Sequence, residues 1–346
     1  CNLGLAISTL MLAHQRSAQL QCPELRTESL NTLSTEALWC YHAAGLQAYR
    51  QHQLCFSLDN ARDCHADGVS WLDIKRELAF RHLRQCDFCV HDCRVDRTMD
   101  SQGYCQLSAD SPFSGAYLHW GEEPPLRPTW AVFFGGCTMH CVYCHNWRDT
   151  FKTAQQERLT PQRWLQQLQA NAGSYRTLSF IGGTPEPHLH TILESLCLLA
   201  EYPELGAPVV FNSNATLSAV GLDLMEGAID IYVPDYKHGN NRCAWSLTKI
   251  AHYQETLALN LQRYAKQNAG VLVRHLPLPG HLECCTYAVL QDLAAHYGQM
   301  AVNIMLEYQP FYKAEHMPGI DRCLSTAEKA MIQQWVHRLE LRQVAL

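Results

Sequence analysis

Three thiols crowd one short stretch, Cys137, Cys141 and Cys144, spaced CxxxCxxC just past an apolar run. Thiolates select iron-sulfur clusters, zinc or copper over hard cations. A structural zinc or a fully ligated four-iron cluster takes four protein ligands, so a three-thiol loop leaves one metal position open to a small molecule. Spacing alone leaves two other readings open: a zinc site completed by His140 or His145, and three reduced, structural cysteines. A second group lies upstream at Cys86, Cys89, Cys93 and Cys105. Its four thiols suffice for zinc or for a second iron-sulfur cluster, with unmetallated loop thiols as the alternative.

Elements able to position these residues can be read from the apolar pattern. From Trp130 onward, short apolar runs alternate with helical periodicity. The runs are Ala131 to Phe134, Thr177 to Ile181, Val209 to Phe211, Asp230 to Val233, Gly270 to Val273 and Ala301 to Leu306. Helices are expected at Pro161 to Ala170, Leu189 to Ala200, Ala219 to Gly227, Tyr253 to Gln267, Cys284 to Tyr297 and Thr326 to Leu339. Six such units predict an α/β fold, a partial (β/α)6 TIM-like barrel left open, with its chemistry at the carboxyl ends of the strands. Residues 1–80 read as a helical extension, 81–129 as a Cys-rich motif and irregular connector, 130–315 as the barrel and 316–346 as a C-terminal helix. Cys22, Cys40, Cys55 and Cys64 share no tight spacing and are expected to be buried small residues.

Polar residues succeed each strand. The first strand runs into the three-thiol loop. Gly182, Gly183 and Thr184 come after the second, where the glycines let backbone approach a ligand. Asn212 and Asn214 after the third suit a ribose or a carboxylate. Asp235 and Lys237 share a face after the fourth, and Arg274 ends the fifth. Each has a plain structural reading as a turn, an ion pair or packing; their shared edge is the reason to read them as functional.

Composition narrows the class. With 47% hydrophobic and 17% charged residues the 346-residue chain is globular. A net charge of -6 and a pI near 6.3 give no basic footprint for nucleic acid. Seventeen cysteines, in tight clusters and odd in number, favour metal ligation in a reducing compartment, so a cytoplasmic location is expected. The apolar opening from Leu3 to Leu12 is too short to span a bilayer, and no membrane partner is expected. Cys1 reads as a truncation boundary.

From about Cys86 to about Lys313 the sequence resembles the radical S-adenosylmethionine (SAM) superfamily. It is most similar to proteins related to the pyruvate formate-lyase activating enzyme, in a branch with an upstream Cys-rich motif and a His-x-Gly-Glu-Glu-Pro-Pro stretch, here His119 to Pro125. Ala228 to Lys237 and Val273 to Gly280 carry the same resemblance. It implies a 4Fe-4S cluster on Cys137, Cys141 and Cys144 whose open iron chelates SAM. Tyr143 would then lie by the adenine, Gly182, Gly183 and Thr184 would meet the methionine amino group, and Asp235 and Lys237 would contact ribose or carboxylate. The branch's Gly-Gly-Glu is Gly-Gly-Thr here, which removes a charge-assisted contact. His145 stands where Gln is usual, which puts substrate-side contacts in question.

The implied activity is that of an oxidoreductase: reductive cleavage of SAM to methionine and a 5'-deoxyadenosyl radical, which abstracts hydrogen from a substrate. An electron donor such as flavodoxin or ferredoxin is the implied partner. The substrate is either a partner protein that acquires a glycyl radical or a peptide or small molecule. The alternative from another class is a non-catalytic iron-sulfur or zinc-binding electron-transfer protein. A radical site must be dry, so the helical first 80 residues and the last helix are expected to cover the rim.

Overall fold

The computed structural model describes residues 11–58 and 68–344, so Cys1, Cys64 and most of the apolar opening lie outside the described residues. The chain begins with α1 (Ala13–Gln19), the two-residue strand β1 (Gln21–Cys22), α2 (Thr27–Leu30) and α3 (Thr35–Arg50). Strand β2 (Val69–Ser70) pairs antiparallel with β1 and leads into α4 (Trp71–His82). Ser70 and Asp73 form a capping box that starts α4, whose Trp71, Ile74 and Leu78 are wholly buried at helical spacing. Of the cysteines expected to be buried here, Cys22 is. Cys40 is exposed because it falls on the solvent side of α3, and Cys55 is half-buried where it bridges Gln21 at the sheet edge.

One eight-stranded sheet comes next. Its strands are β3 (Pro112–His119), β4 (Thr129–Phe134), β5 (Glu157–Arg158), β6 (Thr177–Gly182), β7 (Val209–Ser213), β8 (Ile231–Pro234), β9 (Gly270–His275) and β10 (Ala301–Ile304). The order is β10-β9-β8-β7-β6-β4-β3-β5, and the six strands from β10 across to β4 are mutually parallel. The sheet is open, as six units require, and β3 and β5 extend its β4 edge antiparallel. The connector expected to be irregular thus contains the long strand β3, whose alternation is masked by half-exposed positions.

Helices α5 (Trp147–Phe151), α6 (Pro161–Ala170), α7 (Leu189–Ala200), α8 (Ala219–Met225), α9 (Asn241–Thr248) and α10 (Tyr253–Lys266) lie in the connections. Thr160 caps α6 and Pro161 opens it, while Trp164, Leu165 and Leu168 turn inward. The helix expected from Cys284 begins earlier, as a π turn over Leu282–Tyr287 that runs into α11 (Ala288–His296). Helix α12 (Thr326–Arg338) ends the fold. Among the described residues no helix is long and apolar enough to cross a membrane.

Register places every parallel strand's carboxyl end at one rim: Phe134 lies beside Gly182, and Ser213 beside Pro234. The expected cover for this rim is not where the first helices go. Helix α4 packs on α7, and α1 reaches the opposite end of the sheet, where the Ala13 N–H donates to Asp230 and Ser17 to the Gly227 carbonyl. Apolar faces decide this: α4 is most buried where α7 offers its own leucines.

Candidate active site

Strand β4 ends at Phe134 and the chain turns into the thiol loop. Gly136 sits at φ +74°, in the left-handed region. The neighbouring strand end approaches so closely that a Cβ on Gly183 would lie 1.9 Å from the Gly136 carbonyl oxygen, and one on Gly182 would lie 2.2 Å from the Phe134 nitrogen. The glycine pair is therefore required by the loop itself, whatever binds there. The far side of the loop is pinned by backbone: His140 N–H donates to the Thr248 carbonyl (3.0 Å) and Val142 N–H to that of Leu247 (2.9 Å), both at the end of α9.

Cys137 and Cys141 are buried and Cys144 is half-buried. The Met139 N–H (3.3 Å) and the Asn214 side-chain amide (3.2 Å) both donate to the Cys137 sulfur. Burial pushes all three thiols up, Cys141 to about 12 even with Lys237 pulling it back. Thiolates become stable here only beside added positive charge, which a metal centre supplies. The three sulfurs do not all lie within 4.8 Å of one another, so they do not converge on one ion. Three thiols on one loop are compatible with an iron-sulfur cluster that leaves one metal position open.

Beside the loop lies a cavity of about 590 Å³. Seven of the nine expected cofactor-binding residues line it, Gly182, Gly183, Thr184, Asn212, Asn214, Asp235 and Arg274, and so does His145. Tyr143 and Lys237 do not. The Tyr143 ring is buried behind the loop, its hydroxyl 3.1 Å from His238 Nε2. Lys237 donates to Asp235 Oδ2 at 2.5 Å. Burial lowers the Lys237 pKa, but Asp235 and Cys141 outweigh it and hold the ammonium charged.

The polar floor has owners that spacing did not assign. Arg274 is taken up by two carboxylates, donating to Glu123 at 2.6 and 2.8 Å and also to Glu122. Burial pushes the Glu123 carboxyl up, yet Arg274 and the Asn303 amide (2.6 Å) prevail and hold it low. The His119 to Pro125 stretch thus serves as the floor's counter-charge, and Tyr117 and His119 of β3 close that side of the cavity. Glu186 is the other missed residue. Fully buried, it accepts from the Thr184 hydroxyl, from the Thr216 hydroxyl (3.1 Å) and from the Thr216 N–H (3.3 Å). The carboxylate lost at position 184 stands two residues on, behind the threonine; a turn that doubles back was the signal, in Pro185 and Pro187.

The upstream cysteines are gathered too. Cys89 lies within electrostatic reach of Cys105, Cys86 and Cys93, and burial pushes its thiol well up. The Tyr104 N–H donates to Cys93 (3.3 Å), and the Arg97 guanidinium lies 3.7 Å from Cys86. These four thiols also fail to converge on one ion. The Tyr104 ring stacks between His91 (3.7 Å) and His140 (4.4 Å), which joins this group to the thiol loop.

An open parallel sheet with three cysteines and a polar cavity at its carboxyl rim is compatible with a small-molecule site beside a soft metal centre. Residues 131–293 match the Radical SAM superfamily. An uncharacterized protein of Methanocaldococcus jannaschii is 32% identical over 310 residues, 88% of each chain. Among solved structures, SuiB from Streptococcus suis bound to S-adenosylmethionine shares 13% identity at a TM-score of 0.42, and QueE from Escherichia coli 12% at 0.39. The match covers 60% of this chain and 47% of SuiB, and 68% of this chain and 92% of QueE, so the chain spans about half the length of SuiB. The protein therefore carries a radical SAM superfamily domain over residues 131–293, and it belongs to one family with the uncharacterized archaeal protein.

Proposed function

We propose that this is a radical SAM oxidoreductase of the pyruvate formate-lyase activating enzyme type. Cys137, Cys141 and Cys144 would hold a 4Fe-4S cluster. Such a cluster, with one iron free of protein ligands, supplies the electron that splits SAM into methionine and a hydrogen-abstracting 5'-deoxyadenosyl radical. The observation that carries this reading is three non-converging thiols on one loop next to a 590 Å³ cavity, with the lining residues Gly183 and Asn214 contacting Cys137, in a chain with a radical SAM domain.

The chain's own part is binding and exclusion of water. Gly182 and Gly183 bring backbone to the cavity edge. Thr184, backed by buried Glu186, offers a polarised hydroxyl to an ammonium group. Asn212 offers its side-chain amide, Asn214 keeps its amide on the Cys137 sulfur, and the Asp235 carboxylate, held by Lys237, would face a ribose. Arg274 acts from below, fixing Glu122 and Glu123 rather than reaching for a ligand.

Cys86, Cys89, Cys93 and Cys105 would hold a second iron-sulfur cluster. Their spread disfavours zinc, and the Tyr104 stack sets them beside the first site, where electrons from a flavodoxin or ferredoxin enter. These thiols are free. The substrate we favour is a glycyl position on a partner protein, because Tyr117 and Trp120 stand 49% and 61% exposed beside the cavity mouth and suit a polypeptide surface. Anaerobic reconstitution with iron and sulfide, then SAM and dithionite, tests the first claim: 5'-deoxyadenosine forms, and its absence would return the chain to a non-catalytic electron carrier. Adding a deuterated candidate substrate tests the second, since deuterium must appear in the 5'-deoxyadenosine.

A further inference from the structure

A third group of donors plays no part in the site above. Cys243 on α9 and His281, Cys284 and Cys285 at the π turn place one ligand atom each so that all four lie within 4.8 Å of one another. The closest gaps are 3.8 Å between the Cys243 and Cys284 sulfurs, 3.6 Å from Cys243 to His281 Nδ1, and 3.4 Å from Cys284 to the same nitrogen.

The gaps among Cys243, Cys284 and His281 are those of one tetrahedral ion, and the Cys285 sulfur lies within 4.8 Å of all three. With Zn–S bonds of about 2.3 Å and Zn–N bonds of about 2.05 Å, a tetrahedral centre sets its sulfurs about 3.8 Å apart and sulfur to nitrogen about 3.6 Å. A disulfide would need sulfurs at about 2.05 Å, far inside the observed gap. A cluster would need its ligands spread wider, as they are in the other two cysteine groups. Four protein donors also leave no open position, which marks a structural centre and not a catalytic one.

The surroundings are built for the convergence. Asn240 caps α9 by accepting from the Cys243 N–H (2.8 Å), and its amide donates to the Cys284 carbonyl (2.8 Å) and lies 3.8 Å from the Cys285 sulfur. One side chain thus ties both ligand-bearing elements together and orients their donors. Gly239 permits the approach: a Cβ there would lie 2.7 Å from the Cys285 carbonyl oxygen and from the Ala288 Cβ. The π turn brings Cys284 and Cys285 to the same side, a use for which such bulges occur.

We propose that Cys243, His281, Cys284 and Cys285 bind one zinc ion, which clamps α9 to the π turn. Because the last residues of α9 receive the thiol loop at Thr248 and Leu247, the ion would brace the wall against which that loop is pinned. Binding exchanges three thiol protons for the metal, so protons are released as it loads.

The test is metal analysis of the full chain, purified anaerobically and reconstituted with iron and sulfide. One zinc per chain is expected alongside the iron, and Cys243→Ser with Cys284→Ser should remove the zinc while the iron stays unchanged. Cobalt in place of zinc should give tetrahedral visible bands and thiolate charge-transfer absorption in the wild type and neither in the variant. Should the double variant not fold, the wild-type cobalt spectrum and a fall in Tm on zinc chelation, with iron retained, decide the matter. No cobalt spectrum in the wild type, equal metal binding by a folded variant, or loss of iron together with the zinc would each overturn the proposal. None of these readouts depends on SAM cleavage.

Discussion

Cys137, Cys141 and Cys144 differ from Cys243, Cys284 and Cys285 in arrangement and not in donor chemistry. The first three sit on one loop, stay apart from one another and lie next to a large polar cavity, whose lining residues Gly183 and Asn214 both contact Cys137. The second three come from two elements and close with His281 around a point. Spread thiols with an open side suit a metal centre that must receive a small molecule; converged thiols with a fourth donor suit one that only holds the fold. The same residue type is assigned opposite duties by the backbone that carries it.

The largest expected effect separates the two duties. Cys144→Ala should bring 5'-deoxyadenosine formation down to background while zinc content stays at its wild-type value. Loss of both would mean that the two groups form one system. Next comes the cavity floor, which holds its charges by pairing alone. Arg274→Met leaves Glu122 and Glu123 buried without a cation, and removing one partner of a buried pair costs about 3–5 kcal/mol. Denaturant unfolding at neutral pH measures it, and a cost under about 1 kcal/mol would show the carboxylates solvated.

Acid should weaken the frame around both centres. Burial lowers the His275 pKa to about 4, its ring held between the Tyr236 carbonyl (2.6 Å) and the Thr286 hydroxyl (3.0 Å). The folded value lies below the unfolded one near 6.5, so the contribution is complete above about pH 6.5 and is lost as the pH falls to 4. That amounts to about 3 kcal/mol. His275→Gln should flatten the fall of Tm across this window; an unchanged slope would show that this ring protonates freely. The smallest effect expected is on turnover in Cys89→Ala, which should lower iron content while SAM cleavage continues at a reduced rate. Cleavage lost as completely as in Cys144→Ala would make the upstream group part of the first centre.

Much of this architecture was legible in the sequence because it rests on local signals. Buried parallel strands write themselves as short apolar runs, and all six lie within about two residues of their expected ends, β7 and β9 running on into polar residues. The helices expected from Pro161 and Thr326 also start there, capped by Thr160 and Ser325. β3 was not legible, since half-exposed positions blur its alternation. At the site, Gly182 and Gly183 were found for a ligand's sake, whereas the structure shows them serving the thiol loop first. The pairing of Arg274 with Glu123, 151 residues away, needed tertiary folding to be seen, whereas Glu186 had only its flanking prolines as a signal. Cys243 and Cys284 are 41 residues apart and carry no spacing signature, so only the meeting of α9 with the π turn reveals them.

An iron left open for SAM at the Cys137, Cys141 and Cys144 loop is tested most directly by electron paramagnetic resonance. Spectra of the dithionite-reduced, reconstituted protein before and after adding SAM are compared with the same pair for Cys89→Ala. A reduced 4Fe-4S signal is expected, retained in Cys89→Ala, that shifts when SAM binds and decays as 5'-deoxyadenosine accumulates. A signal indifferent to SAM, or none with zinc as the sole metal, would contradict the open iron.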